Sequence, residues 1–182
     1  IITVIGFGLG PFIGGLIAQF SNQPLVTPYL PIIAAAILCF FGLFLVKAPQ
    51  FKVQPFSIAP RLEIPAAQHH SLFFIAGLTA FSAFGAFSLF ASLSPSFVKD
   101  LIPWHGPLVS GSAIASILLV SAVVQFSAKS LLPAKSLILG LITLVVSFVL
   151  LGLCMSMQWS ILFFISDILV GVGHGLGLLG AF

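Results

Sequence analysis

The sequence predicts an all-α, polytopic bundle of transmembrane helices, and three observations carry that prediction. Hydrophobic residues make up 60% of the chain and charged residues 5%, and the mean hydropathy is +1.29. A water-soluble domain covers its surface with about a quarter charged residues, so water is not the main solvent here. Six apolar stretches, at 1–20, 29–46, 71–95, 107–127, 136–156 and 159–181, reach or approach the roughly 20 residues that cross a hydrocarbon layer of about 30 Å. In lipid, every backbone polar group must be satisfied within its own segment, which makes long apolar runs helices. The third observation is that the basic residues fall into one set of connections.

The first stretch, 1–20, holds IGFGLGPFIGG, in which glycines four apart form a bare stripe and Pro11 removes a backbone donor. A polar linker at Ser21–Pro28 leads to the second stretch, 29–46. The segment 48–70, with Pro49, Pro55, Pro60 and Pro65, shows no helical period and is expected to be an extended tether. Beyond it come the third stretch, a linker at Ser96–Gly106, the fourth, a linker at Ser127–Lys135, and the fifth. Only a few residues around Met157–Gln158 separate the fifth from the sixth, which predicts antiparallel neighbours. With the 48–70 linker on the cytoplasmic side, Lys47, Lys52, Arg61, Lys129 and Lys135 lie inside and Lys99 outside, as the positive-inside rule requires. Tyr29, Trp104 and Trp159 then fall near the outer ends of their segments, where amphipathic rings favour the headgroup layer. Both ends of the chain are expected on the cytoplasmic side.

The net charge of +3 is too small and scattered for nucleic-acid binding. Cys39 and Cys154 lie in apolar runs and form no CxxC pair. His69 and His70 lack the further ligands that a metal site needs and read as solvated loop. No G-x-S-G nucleophile and no carboxylate dyad is present, so neither an enzyme nor a cofactor is expected. GVGHGLG fails the dinucleotide-binding spacing and follows no strand.

The spacing G-x₃-G-P-x₂-G-G set by Gly6, Gly10, Pro11, Gly14 and Gly15 resembles the antiporter signature, motif C, in the fifth helix of major facilitator superfamily transporters. That resemblance implies a fold in which this chain is truncated at both ends and runs from the fifth to the tenth of twelve helices. Residues 1–47 would be the last two helices of the N-terminal half, 48–70 the cytoplasmic linker between halves, and 71–182 the first four helices of the C-terminal half. It also implies that the first segment packs against the fourth, whose start, Ser110–Ser116, is rich in small residues. The family's basic loop motif would recur in SAKSLLPAKS, where Lys129 and Lys135 are present but the Asp and the Gly-Arg pair are not.

Asp167 is the one acidic residue inside an apolar stretch, about 12 Å along its helix from Trp159. An ionised carboxylate at that depth costs several kcal/mol unless it is paired or wet. His174 lies seven residues on, roughly on the same face, and about 10 Å along the axis is too far for direct contact. The two read either as protonatable, cavity-facing groups or, for Asp167, as a carboxyl bonded to a serine of a neighbouring helix. The glycines at 171, 173, 175, 177 and 180 suit either a hinge or tight packing. In the third stretch Phe81, Ser82, Gly85 and Ser88 are candidates to face an amphipathic substrate, although phenylalanines also serve as lipid-facing residues. Gln125 is expected at the interface.

The resemblance implies a secondary transporter that couples efflux of a small amphipathic compound to protons by alternating access. Its partners would be the bilayer, the substrate, protons and the missing helices of the same chain, in a cell (inner) membrane. A sugar or metabolite symporter of the same superfamily, or a non-transporting membrane scaffold, are the alternatives.

Overall fold

A computed structural model describes residues 1–47, 65–101 and 103–182, and every regular element among them is helical. The helices are α1 (Ile2–Phe20), α2 (Tyr29–Leu43), α3 (His70–Leu101), α4 (Pro107–Ser127), α5 (Pro133–Met157) and α6 (Ser160–Ala181). Five helical spans are long and apolar enough to cross a membrane, α2 being the shorter exception. The fold is thus a multi-pass membrane-type helical bundle. Of the 48–70 tether, residues 48–64 lie outside the described residues, and Ala67–His69 form a short 3₁₀ turn leading into α3.

Two predicted boundaries shift. The 29–46 stretch yields a helix of 15 residues, about 22 Å long, because residues 44–46 tighten into i→i+3 bonds, Phe44 to Phe41 and Leu45 to Gly42. The 71–95 stretch extends instead to Leu101, into the expected Ser96–Gly106 linker, with Pro95 inside the helix. An interior proline removes a backbone donor and crowds the carbonyl one turn back, a cost that membrane helices tolerate where neighbours re-satisfy the backbone. Lys99 in the last turn complements the negative end of the helix dipole. The other ends follow local chemistry. Pro107 and Pro133 open α4 and α5 at positions where a missing N–H costs nothing. Gly106 has φ +124°, a conformation glycine adopts freely, and the Gln19 carboxamide fills the space where a Cβ would stand. Gln158, in the left-handed region at φ 56°, turns α5 into α6.

The bundle is organised around α6, which packs against α3, α4 and α5, while α1 covers the far side of α4. The α6 glycines distribute these contacts. A Cβ on Gly171 would come within 2.6 Å of the Ile117 carbonyl oxygen and one on Gly175 within 2.7 Å of that of Ser121, both on α4. Gly173 and Gly180 face Leu144 and Leu137 of α5, and Gly177 meets Thr79 and Ala83 of α3. Tight packing, the second of the two readings of this glycine run, is therefore what the fold displays. The α5–α6 pair is antiparallel, as the short turn predicts, with contacts in register from Pro133–Gly180 through Ser147–Ser166 to Cys154–Trp159.

Polar groups share the interior with an apolar cluster that includes Phe90, Ile117, Phe163 and Val170. Ser121, Ser136, Ser147, Ser166, Asp167 and His174 are buried, whereas large apolar side chains such as Phe74, Phe81 and Val123 point outward. Lipid solvates apolar groups as well as a core does, so hydrogen bonds and close packing hold the helices together. Ser147 Oγ donates to the Ser166 carbonyl at 2.9 Å, Ser166 Oγ returns a bond to the Ser147 carbonyl at 2.8 Å, and Ser136 Oγ reaches the Leu176 carbonyl at 2.7 Å. Ser147→Ala removes one side of the reciprocal pair and is expected to cost about 0.6–1.7 kcal/mol, measured by reversible unfolding in mixed detergent micelles. Ser156→Ala, on an exposed hydroxyl bonded within its own helix, should be near neutral in the same assay.

Candidate functional site

The polar residues of α4 and α6 meet along one seam. α4 and α6 run parallel, and α4 turns Ser112, Ser116, Ser121 and Gln125 inward at spacings of four and five residues. α6 answers with Asp167 and His174.

Asp167 is the eighth residue of α6, about 10 Å from its start, and is 3% exposed. The Ser116 hydroxyl donates to Asp167 Oδ2, while Oδ1 has no protein partner. The carboxyl borders a cavity of about 310 Å³ lined by Trp104, Ser112, Phe163, Phe164 and Ile168. This cavity lies toward the end of the bundle that carries Trp104 and Trp159. A carboxyl bordering an aromatic-lined cavity can accept a proton or face a cation.

His174 is 1% exposed. Its Nδ1 lies 2.8 Å from Ser121 Oγ, which also accepts a bond from Gln125 Nε2 at 3.2 Å. In the tautomer in which the Ser121 hydroxyl donates to Nδ1, the neutral ring carries its proton on Nε2. Nε2 has no protein partner. Phe84 meets the ring edge-on at a centroid distance of 5.3 Å and Phe87 lies tilted at 5.9 Å. The same ring borders a second cavity, about 270 Å³, lined by Thr3, Val4 and Phe7 of α1 with Phe84, Phe87 and Ser88 of α3.

Asp167 and His174 thus share a face of α6, but each is held by a different serine one to two turns apart on α4. Gln125 is 9% exposed and donates to Ser121 Oγ at 3.2 Å.

The first segment does pack against the fourth, as the resemblance implies, but through a different face of α1 from the Gly6–Gly10–Gly14 stripe. Gly15 lies against the Pro107 carbonyl, the Pro11 carbonyl against Gly111, and Gly8 against Ala115 and Leu118. These contacts keep one antiparallel register over the length of α1. Gly6, Gly10 and Gly14 have open space where a Cβ would stand, since on a helix they lie roughly 100° or more away from the Gly8–Pro11–Gly15 line. On α3 the four candidates separate. Ser88 borders the His174 cavity, and Ser82 borders a crevice of about 450 Å³ shared with Leu141, Leu144 and Phe148 of α5. Phe81 is 76% exposed on the outer surface, and Gly85 faces open space. Phe84 and Phe87 instead contact the His174 ring, and Phe90 is the phenylalanine of α3 that is fully buried.

Among the described residues no group of three or more His, Cys, Asp or Glu could hold a metal ion. His70, the first residue of α3, bonds to the Pro65 carbonyl at 2.8 Å. Ser116, Ser121 and Gln125 are the site residues that sequence reasoning did not single out as partners. Their signal was the near-helical spacing of polar residues on an otherwise apolar segment. Compared with known protein families, curated proteins and solved structures, the chain matches none.

Proposed function

We propose that this chain belongs to a proton-coupled secondary transporter that expels small amphipathic compounds, and that it carries helices five to ten of a twelve-helix, major facilitator-type bundle. The observation that carries the reading is Asp167: a buried carboxyl beside an aromatic-lined cavity, with one oxygen bonded to Ser116 and the other without a protein partner. Intramembrane carboxyls are costly and persist where they bind or move charge. An amphipathic cation can rest its apolar body on Trp104, Phe163 and Phe164 while its charge meets Oδ1. A proton and the cation then exclude one another at a single carboxylate, which is the minimal requirement for exchange. The α1–α4 pairing, with Pro11 and Gly15 in the contact, also supports a motif C role for the first helix. In this reading the Trp104 end faces outward and the Lys129 end inward.

The test uses the full-length protein in proteoliposomes with ethidium as the transported probe. An imposed pH gradient is expected to drive ethidium movement, and dissipating the gradient with nigericin should stop it. Folded, reconstituted protein that moves no ethidium under either condition would defeat the efflux reading.

A further inference from the structure

The two ionisable groups of α6 each hold a buried polar atom without a protein partner, Asp167 Oδ1 and His174 Nε2. The two residues border different cavities, Asp167 the one toward Trp104 and His174 the one lined by α1 and α3. The His174 cavity shares Thr3, Val4 and Phe84 with a further cavity of about 340 Å³ that reaches Gln125 and Leu179 toward the Lys129 end. Between the Asp167 and His174 cavities α4 and α6 close on each other, where Gly171 approaches the Ile117 carbonyl and Val120. The groups facing the pair are uncharged: Ser116, Ser121 and Gln125 from α4, Phe84 and Ser88 from α3, and Thr3 from α1. α5 meets the far side of α6 through Leu144 and Ser147.

We infer that Asp167 and His174 are the two stations of one proton path along the α4–α6 seam, one station in each half-cavity, closed between them at the Gly171–Ile117 contact. This rests on the proton-coupled reading above and says which residues carry the proton onward.

The path needs only water as co-reactant. Protonated Asp167 gives its proton to water in the seam when the helices part at Gly171. Ser121 Oγ takes that proton as its own hydroxyl proton passes to His174 Nδ1, along the 2.8 Å hydrogen bond. The imidazolium then releases its Nε2 proton to water of the second cavity. The ring is left with its proton on Nδ1, and rotation of the imidazole by about 180° turns the unprotonated nitrogen back to Ser121 for the next proton. One proton leaves Asp167, one arrives in the second cavity, and the serine hydroxyl is regenerated. Gly171 is the position where α4 and α6 come closest to sealing that route.

Two readouts on the full-length protein in proteoliposomes separate this path from transport itself. One is ethidium–ethidium exchange without a pH gradient, which needs no net proton movement; the other is pH-driven ethidium movement with internal pyranine reporting protons. His174→Gln is expected to lower the pH-driven rate by about tenfold while exchange changes by less than about twofold. Ser121→Ala, a smaller change that leaves the ring's packing on Phe84 and Phe87 intact, should shift the same readout in the same direction. Unaltered pH-driven movement in both variants would overturn the path, and so would a parallel fall in exchange and pH-driven movement, which is the mark of a structural role. Absence of exchange in the unsubstituted protein would instead defeat the transport reading and this inference with it.

Discussion

Asp167→Asn is expected to reduce pH-gradient-driven ethidium movement by about 100-fold or more, the scale set by removing a positioned proton-transfer group, while leaving the bundle folded. The substitution is nearly isosteric, and the amide oxygen can still accept the Ser116 hydroxyl bond that Oδ2 accepts now. What it removes is the capacity to alternate between a neutral and a charged form. An amide in that cavity cannot exchange a proton for a cation, whatever its geometry. The comparison must include size-exclusion behaviour and unfolding of the purified variant, because only a loss of transport in folded protein bears on the coupling role. Normal pH-dependent movement in Asp167→Asn would remove Asp167 from the mechanism and leave it as a seam residue bonded to Ser116.

The second large effect is structural. Gly15→Val and Gly111→Val are each expected to destabilise the bundle by about 2–3 kcal/mol, a large share of the stability of an ordinary domain. A Cβ on Gly15 would overlap the Pro107 carbonyl oxygen, and one on Gly111 would overlap the Pro11 carbonyl oxygen. Backbone atoms of two helices cannot yield as a flexible side chain can, so α1 must lift from α4. Gly14→Ala, one residue from Gly15 but facing open space, should change unfolding little. Thermal unfolding of the three purified variants measures the contrast. Equal destabilisation by Gly14→Ala and Gly15→Val would show that the Gly6–Gly10–Gly14 stripe packs after all, and would redirect the motif argument to that face.

These two positions also mark what could and could not be read in the sequence. The helices were legible because continuous apolarity over some 20 residues leaves few alternatives in lipid. Their inward faces were not. In water, hydrophobic periodicity points to the core, but in lipid the outward face is as apolar as the inward one. Phe81 and Gly85 therefore look no different in sequence from Phe84 and Phe87, although the first two point out and the latter two surround His174. Within this chain Gly6, Gly10 and Gly14 face open space, while the contact with α4 runs through Gly8, Pro11 and Gly15, a distinction that sequence alone does not draw.

Polar residues were more informative, because a buried polar group must find a partner. The bond of Asp167 to a serine of a neighbouring helix, and its separation from His174, both follow from that requirement and from helix geometry. The contact of Gln125 with the Ser121–His174 pair was not legible, because only the third dimension brings these residues together. The shortness of α2 was hidden for a similar reason: Phe44, Leu45 and Val46 are as apolar as the helix before them, yet they close into turns.

The central claim is that a proton and an amphipathic cation compete for Asp167 in the aromatic-lined cavity, and the most direct test is chemical. A hydrophobic carbodiimide modifies protonated carboxyls in an apolar environment, and Asp167 is the one acidic residue within the apolar segments. Peptide mass spectrometry of the purified full-length protein would follow modification of Asp167 with and without ethidium. The account predicts that Asp167 is modified and that ethidium slows the modification in a saturable way. Absence of modification, or modification at the same rate under saturating ethidium, would contradict it.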